Sequence, residues 1–317
     1  MTDVRYAEAA PARWPALPLD SWADTLATLH MWAQIVGKTR LSHAPMVNHW
    51  WQVALYLTPR GLTTSAMPGG DGVRTFSVDF DFIDHRLDVC SSDGRGASVP
   101  LAAQSVSAFY AAYLAALESL GLEARIRPVP VETAVAIPFA DDREHASYDP
   151  RAAHTWWVIL SEAHRVLERF RGRFLGKSSP THFFWGSFDL AQTRFSGRRA
   201  PKHGGGVPNC PDYVMVEAYS HECASVGLWA GSPGMPGPAF YAYAYPEPAG
   251  YAARSVRPGG AGYDGAMREM ILPYDVVRRA ASPDDAILDF AQSAYDAAAE
   301  LGKWDRAALD RPPHEWP

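Results

Sequence analysis

The feature that most constrains the fold of this 317-residue chain is a series of residues that occurs twice in the same order. The matching pairs are Gly37-Lys38 with Gly176-Lys177, His49-Trp50-Trp51 with His182-Phe183-Phe184, Asp81 and His85 with Glu217 and His221, and residues 109–121 with residues 290–302. One such pair arises readily by chance, but several in series at compatible spacings do not. The sequence therefore predicts an internal duplication.

The first half is predicted to contain a helix, several strands and a second helix. Trp22, Leu26 and Leu29 recur at helical spacing, which predicts a helix over residues 21–36 that ends at Gly37. Segments rich in β-branched and aromatic residues, separated by Gly and Pro, predict strands. These strands cover residues 49–58, 61–67, 74–83 and 86–92, and the closing helix covers residues 101–121.

The second half repeats this order after an extended segment at residues 123–139, which we expect to be a strand. The predicted helices cover residues 154–174 and 282–302, and the predicted strands cover residues 182–191, 213–220, 225–231 and 239–247. Each half would then have the order (β)-α-β4-α. The last helix has Ser282 as its N-cap and Pro283 in its first turn, which are favourable residues at those positions.

These elements predict an α+β fold, in which a pseudo-twofold antiparallel sheet has its helices packed on one face. The arrangement is similar to the helix-grip and TATA-binding-protein-like topologies, and it leaves the other face of the sheet available for a ligand. The predicted organisation is an N-terminal extension at residues 1–20, a first repeat at residues 21–122 and a second repeat with its strand linker at residues 123–311. The two repeats would form one compact unit.

Composition excludes several classes of function. The formal net charge is -6 and basic residues are not clustered, which disfavours binding to nucleic acid. Three widely spaced cysteines, Cys90, Cys210 and Cys223, suggest no disulfide framework and favour a reducing compartment. No apolar run is long enough to span a membrane, and the N-terminus lacks the apolar core of a signal peptide. We therefore expect a cytoplasmic protein with no membrane partner.

The repeated histidines suggest a metal site. His49 and His182 open the first strand of each half, whereas His85 and His221 close a later strand. Antiparallel neighbours bring the start of one strand close to the end of another, so these four imidazoles could converge. Together with Glu217, they would offer the nitrogen and oxygen ligands of a catalytic Zn, Fe or Mn ion with one open position.

Two alternatives remain for the same residues. His85, His221, Glu217 and Asp81 could act as metal-free acid–base groups. Four residues of strand would place each carboxylate about 13 Å from the histidine that follows it, so the two could not bind one metal ion unless the strand bends. Alternatively, the histidines are structural, since a histidine at a strand end often bonds a backbone carbonyl group.

Aromatic residues are abundant, with 11 Trp, 14 Tyr and 13 Phe. Tyr241, Tyr243 and Tyr245 alternate with alanines, so they share one face of a predicted strand, and Glu247 follows at its edge. Packing in the core explains most large rings, but a strand of tyrosines could also line a pocket. The candidate ligand-binding residues are Trp51, Trp185, Tyr219, Tyr241, Tyr243, Tyr245 and Glu247.

The chain resembles a bacterial family catalogued as domain of unknown function 5996. The likeness runs from about Trp14 to Arg311 and rests on a combination of motifs. These motifs are the segment from Gly37 to Ser65, "FDFIDHRL", "THFFWGSFDLAQTRFSGR", "EAYSHE", "FYAYAYPEP", "ILPYDVVR" and "WDR". The resemblance implies a cytoplasmic bacterial protein, and it implies no particular reaction or catalytic residue.

Three hypotheses about function follow. The first is an enzyme, metal-assisted or using histidine and carboxylate as acid and base, that acts on a small polar or aromatic molecule. The second is a non-catalytic binding protein that holds a small ligand against the aromatic face of the sheet. The third is a scaffold that presents an exposed aromatic patch to a protein partner.

Overall fold

The computed structural model describes residues 13–232 and 235–316, so residues 1–12 of the predicted N-terminal extension lie outside the described residues. The helices are α1 (Ala23–His43), α2 (Val106–Ser119), α3 (Pro150–Arg171), α4 (Asp212–Ala218), α5 (Tyr274–Arg278), α6 (Pro283–Leu301) and α7 (Arg306–Leu309). Short 3-10 helices occupy Leu19–Ser21, Asn48–Val53, Tyr251–Ala253 and Pro313–Glu315.

The strands of the described residues form two antiparallel sheets of six strands each, so the predicted α+β class is confirmed. The strands of the first sheet are β1 (Tyr56–Thr58), β2 (Gly61–Thr63), β3 (Met67–Pro68), β4 (Thr75–Asp81), β5 (Arg86–Ser91) and β6 (Gly96–Pro100). Those of the second are β7 (His182–Phe184), β8 (Asp189–Arg199), β9 (His221–Trp229), β10 (Ala239–Tyr245), β11 (Gly262–Asp264) and β12 (Glu269–Pro273). Their orders are β1-β2-β4-β5-β6, with β3 beside β4, and β11-β12-β10-β9-β8-β7.

The two sheets meet edge to edge and do not form the single continuous sheet that was predicted. The backbone N–H and C=O groups of Leu55 and Phe183 exchange two hydrogen bonds of 2.8 Å, which form an isolated antiparallel bridge between the edges. Both side chains are fully buried. This contact therefore joins the sheets through the core.

Helices α3 and α6 cover one face of the second sheet. In α3, Trp156, Ile159, Ala163 and Phe170 recur at helical spacing and are buried. The carboxylate of Asp149 caps this helix by accepting the backbone N–H of Arg151 at 2.8 Å. In the first half, α1 packs on α2, where Trp32 stacks on Phe109 with ring centroids 4.5 Å apart. Apolar residues from both halves form one continuous core.

Helix α1 continues beyond the predicted stop at Gly37. This glycine lies inside the helix, where an added Cβ would overlap the ring of Trp185. Gly37 is therefore required for close packing of the helix on Trp185 and does not end it.

Several predicted strands are wrong. Residues 213–220 were predicted as a strand from their aromatic and β-branched content, but residues 213–218 belong to α4, which follows Pro211 and begins at Asp212. Residues 123–139 form no regular strand, and residues 49–53 belong to the 3-10 helix Asn48–Val53, so that only Tyr56–Thr58 of the predicted strand at residues 49–58 is strand. Contacts with the rest of the protein override local propensity in these segments. Strands β6, β11 and β12 were not predicted.

The prediction that four residues of continuous strand separate Asp81 from His85 is also wrong. Strand β4 ends at Asp81, whose carboxylate accepts the backbone N–H groups of Ile83 and Asp84 at 2.9 Å each. His85 then adopts a left-handed conformation with φ 51°. The segment is therefore a tight turn that Asp81 stabilises.

None of the described helices combines the length and the apolar character needed to cross a membrane.

Candidate functional site

A cavity of about 360 Å³ lies on the face of the second sheet that points away from α3. Side chains alternate along β8, so Arg194 stacks on Phe170 of α3 while its neighbours Thr193 and Phe195 line the cavity. The 3-10 helix Asn48–Val53, helix α4 and the segment around Glu132 form the cover. The cavity is therefore built from both halves of the chain.

Aromatic rings form most of its wall. The aromatic lining residues are His49, Trp50, Trp51, Phe184, Phe195, Tyr219, Trp229, Tyr241 and Tyr243. Three carboxylic acids also line the cavity, namely Glu132, Asp189 and Glu269. Such a combination of apolar wall and a few polar groups is typical of small-molecule sites.

Asp189, at the start of β8, is the most deeply buried of the three acids. Its carboxylate accepts hydrogen bonds from the hydroxyl groups of Ser187, at 2.7 Å, and Tyr241. Tyr241 reaches Asp189 across Gly227, where an added Cβ would overlap the Tyr241 hydroxyl group. Burial raises the pKa of Asp189, although both hydroxyl groups oppose this shift.

The other two acids have pKa values close to neutrality. Desolvation, followed by the charge of Asp189, raises the pKa of Glu132 to about 7. The same two causes raise the pKa of Glu269 to about 7, with a smaller contribution from Asp264. At neutral pH each of these carboxyl groups is therefore present in both protonation states.

Glu132 also lines a second cavity, of about 1010 Å³, which lies between the start of α1 and the second sheet. Ser187 and Trp229 line both cavities as well. The side chain of Glu132 is consequently accessible to solvent, yet the surrounding protein desolvates its carboxyl group enough to shift the pKa.

The backbone around Glu132 is held in an unusual conformation. Glu132 has φ 60°, which a non-glycine residue seldom adopts. The side-chain amide of Gln34, in α1, bonds both backbone groups of the preceding Val131, at 2.7 and 2.9 Å. The N–H of Glu132 donates to the carbonyl oxygen of Pro208 at 2.9 Å. Such strain, maintained by its surroundings, is common at functional sites.

The predicted face of tyrosines is present on β10. The hydroxyl groups of Tyr243 and Tyr219 are 2.9 Å apart, and burial raises the pKa of both. Tyr245 and Glu247 line an adjoining cavity of about 440 Å³, which shares Tyr219, Tyr243 and Glu269 with the first.

Of the seven predicted ligand-binding residues, Trp51, Tyr219, Tyr241 and Tyr243 line the main cavity. Trp185 is instead buried and donates to the carbonyl oxygen of Val53 at 2.9 Å.

His49 lies at the opposite end of the cavity from Asp189 and is buried. His49 and Trp50 are consecutive residues with positive φ, 59° and 60°. The Nδ1–H group of His49 donates to the carbonyl oxygen of Ala218 at 3.0 Å, which leaves Nε2 to accept from the ammonium group of Lys177 at 3.0 Å. Burial is the largest of several causes that lower the pKa of His49. This imidazole is therefore neutral at pH 7.

The four histidines predicted as metal ligands do not converge on one site. The rings of His49 and His221 lie 5.6 Å apart, and the carboxylate of Glu217 accepts the backbone N–H of His49 at 3.2 Å. His182 packs against Trp51, and burial lowers its pKa to about 3. In residues 13–232 and 235–316, no group of three or more His, Cys, Asp or Glu side chains is arranged to hold a metal ion.

None of the four predicted catalytic residues lines the cavity, and two of them, Asp81 and His85, lie in the first half. His85 Nδ1 is 2.9 Å from the hydroxyl oxygen of Tyr148. Asp81 accepts a hydrogen bond of 2.6 Å from Arg60. Asp81 and His85 therefore lie near each other in the sequence because they belong to one turn of the first sheet.

Sequence reasoning missed all three acids of the cavity. Asp189 could have been noticed, because it is a lone carboxylate within the apolar segment that includes Phe183 and Leu190. Glu269 lies on a strand that was not predicted, and Glu132 lies in a segment without regular structure. For these two residues only the tertiary structure shows their position.

Residues 14–311 match the family described as "Family of unknown function (DUF5996)". No curated protein and no solved structure matches the chain.

Proposed function

Because the chain belongs to this family of unknown function, we propose its function from the cavity: acid–base catalysis on a small molecule held between the aromatic wall and the three carboxylic acids. One observation carries the proposal. Glu132 and Glu269 face the same cavity, and each has a pKa of about 7. A catalytic acid or base works best when its pKa lies near the working pH.

The two glutamates can divide the chemistry between them. The charge of Asp189 acts on both, so ionisation of Asp189 favours the protonated form of each glutamate. One glutamate would accept a proton from the substrate while the other, still protonated, donates one. Pairs of carboxyl groups in a shared apolar site commonly assume these opposite roles.

The tyrosines supply hydrogen-bond donors beside these acids. Burial raises the pKa of Tyr241 and Tyr243 well above the ordinary value of 10.0, so both hydroxyl groups remain protonated. The hydroxyl groups of Tyr219 and Tyr243 contact each other at 2.9 Å, so one of them has its proton free to bond a substrate oxygen or nitrogen. Fixed donors of this kind stabilise charge that develops during a reaction.

His49 lies at the other end of the cavity. Its Nδ1–H group donates to Ala218 and its Nε2 accepts from the ammonium group of Lys177, so both ring nitrogens are engaged and His49 is not assigned as a base. Among the other residues predicted as catalytic, Glu217 and His221 contact His49 and would position it. His85 and Asp81 have no role in this proposal.

The test compares small-molecule extracts before and after incubation with the wild-type protein, with Glu132→Gln, with Glu269→Gln and with Glu118→Gln. Glu118 is exposed on α2 and provides a matched control. We expect the wild type and Glu118→Gln to deplete the same compound. The two cavity variants should be at least about 100-fold slower, since removal of a general acid or base has an effect of this size.

Conversion at equal rates by Glu132→Gln and the wild type would contradict the assignment of Glu132. A compound that is retained by the wild-type protein but never converted would favour the second hypothesis, a binding protein.

The internal duplication is also part of the proposal. Each half contributes a helix, a six-stranded sheet and a further helix, with α1 and α2 in the first and α3 and α6 in the second. The edges β1 and β7 that meet through Leu55 and Phe183 are the first strands of their sheets, as a twofold relation requires. Superposition of residues 23–119 on residues 150–301 tests this relation: the strands should match in order, and an unmatched order would contradict it.

A further inference from the structure

The charge of the cavity lining is unbalanced. Three carboxylic acids line it, and no lysine or arginine is among its described lining residues. The other groups that titrate are neutral at pH 7: burial lowers the pKa of His49 and raises the pKa of Cys223 to about 12. Any ionised carboxylate in this cavity therefore lacks a compensating charge from the lining.

No ion pair within the described residues supplies that charge. The partners of Asp189 are the hydroxyl groups of Ser187 and Tyr241, which carry no charge. Lys38 is the cation that acts on Glu132, but it is buried in α1, where its ammonium group lies 5.7 Å from the centre of the Trp185 ring. Lys38 does not line the cavity. A buried carboxylate without a partner is unfavourable, and a bound cation would relieve this.

The aromatic wall has the chemistry that suits a cation. Trp51, Tyr219, Trp229 and Tyr243 all contribute surface to the cavity. The negative face of an aromatic ring attracts an ammonium group, most strongly where water is excluded. Lys177 is not a lining residue, but its ammonium group makes such a contact with two lining rings, at 5.1 Å from the centre of the Trp51 ring and 5.2 Å from that of Phe195.

The size of the cavity limits the ligand. About 360 Å³ suffices for a molecule with one or two rings, and the adjoining cavity of about 440 Å³ leaves room for a substituent. Tyr219, Tyr243 and Glu269 line both spaces, so a ligand can extend past Glu269 without leaving the aromatic wall.

We infer that the ligand of this site is an organic cation, a small amine with an aromatic or aliphatic body, whose ammonium group pairs with Asp189 and Glu269. The inference rests on the proposed function, because it names the class of substrate for the same cavity. Asp189 and Glu269 would bind the ammonium group of the ligand, and the aromatic rings of the cavity wall would contact its aromatic or aliphatic body.

The test uses three probes of similar shape and different charge: phenethylamine, phenethyl alcohol and phenylacetate. Their affinities are measured by isothermal titration calorimetry at about pH 8, where both glutamates are mostly ionised. We expect the amine to bind at least about tenfold more tightly than the alcohol, and the anion to bind most weakly. The affinity for the amine should fall between about pH 8 and pH 6, as the carboxylates become protonated.

Two variants test whether Glu269 causes the preference for the amine. Glu269→Gln should remove the preference for the amine over the alcohol, while Glu118→Gln should retain it. Equal binding of amine and alcohol by the wild type would overturn the inference, and so would failure of all three probes to bind at millimolar concentration. A preference that persists in Glu269→Gln would overturn the assignment of that residue.

The two proposals can fail separately. If the amine is preferred but no compound is converted, recognition of a cation stands and catalysis does not. If a neutral or anionic compound is converted and the amine is not preferred, catalysis stands and the assignment of the ligand class fails.

Discussion

The chemistry of individual residues in this protein is set mainly by desolvation. Glu269 lies in a partly exposed position at the start of β12, and its pKa is nevertheless raised to about 7. An ordinary glutamate has a value of 4.5, so folding favours the protonated form of this group. The native protein therefore holds a proton that the unfolded chain releases between these two values.

This difference predicts how stability depends on pH. Between pH 4.5 and about 7 the native state binds more protons than the unfolded state, so the free energy of unfolding falls as the pH rises. Glu269→Gln removes this loss and should stabilise the protein at about pH 8 by about 1–3 kcal/mol, with little effect at about pH 4. Urea unfolding at the two pH values measures the effect.

Glu118→Gln is the control for the loss of one negative charge, and it should change the free energy of unfolding by less than about 0.5 kcal/mol at either pH. A Glu269→Gln variant no more stable than the wild type at about pH 8 would contradict the pKa assigned to this residue.

Sequence patterns revealed some residues of the site and not others. The tyrosines of β10 alternate with alanines, and this period-two pattern predicted their common face correctly. The repeated histidines were visible too, but their convergence depended on strands at residues 49–58 and 213–220, of which only Tyr56–Thr58 forms. Their position in the sequence carried no information about which neighbours would surround them.

At the scale of secondary structure, short segments depend on contacts made by other segments. The indole N–H of Trp50 donates to the carbonyl oxygen of Val214 in α4 at 3.0 Å, and His49 bonds Ala218 and Glu217 at the other end of that helix. A helix of seven residues is not stable alone. Its aromatic and β-branched sequence favours a strand, and these bonds explain why it is a helix.

The segment that carries Glu132 is held in the same way, which gives a second prediction. Gln34→Met keeps the volume of the side chain but leaves the N–H and C=O groups of Val131 without their partner. Because Gln34 is fully buried, we expect a loss of about 1–3 kcal/mol in the free energy of unfolding. The backbone amide of Glu132 should also exchange its hydrogen faster, which hydrogen-exchange mass spectrometry measures.

Gln104→Met provides the comparison, since Gln104 makes one exposed bond to the carbonyl oxygen of Pro100. It should have little effect on either measurement. An unchanged rate of hydrogen exchange at Glu132 in Gln34→Met would show that the hydrogen bonds between Gln34 and Val131 do not position the glutamate.

At the scale of the whole molecule, the two sheets share one core and should unfold together. Phe183 is fully buried at the bridge between the sheets. Phe183→Ala should lower the free energy of unfolding by about 3–5 kcal/mol, the usual effect of removing a buried ring. The amides of Val78, in β4, and Leu228, in β9, should lose protection from hydrogen exchange by the same amount.

Val73→Ala is the matched truncation at a surface position, since Val73 is 86% exposed, and it should leave both amides unchanged. If Phe183→Ala affects Leu228 but spares Val78, the two sheets unfold independently and the shared core does not couple them.

The sequence by itself determined the class of the fold, most helices, the strands with a clear period of two and the family to which the chain belongs, because these depend on local patterns of apolar residues and on characteristic motifs. Only the tertiary structure decided where the acids lie. Glu132, Asp189 and Glu269 are separated along the chain and meet because β8, β12 and an irregular segment surround one cavity. Desolvation raises the pKa of all three acids, and the charge of Asp189 raises the pKa of the two glutamates further; neither cause exists before the chain folds.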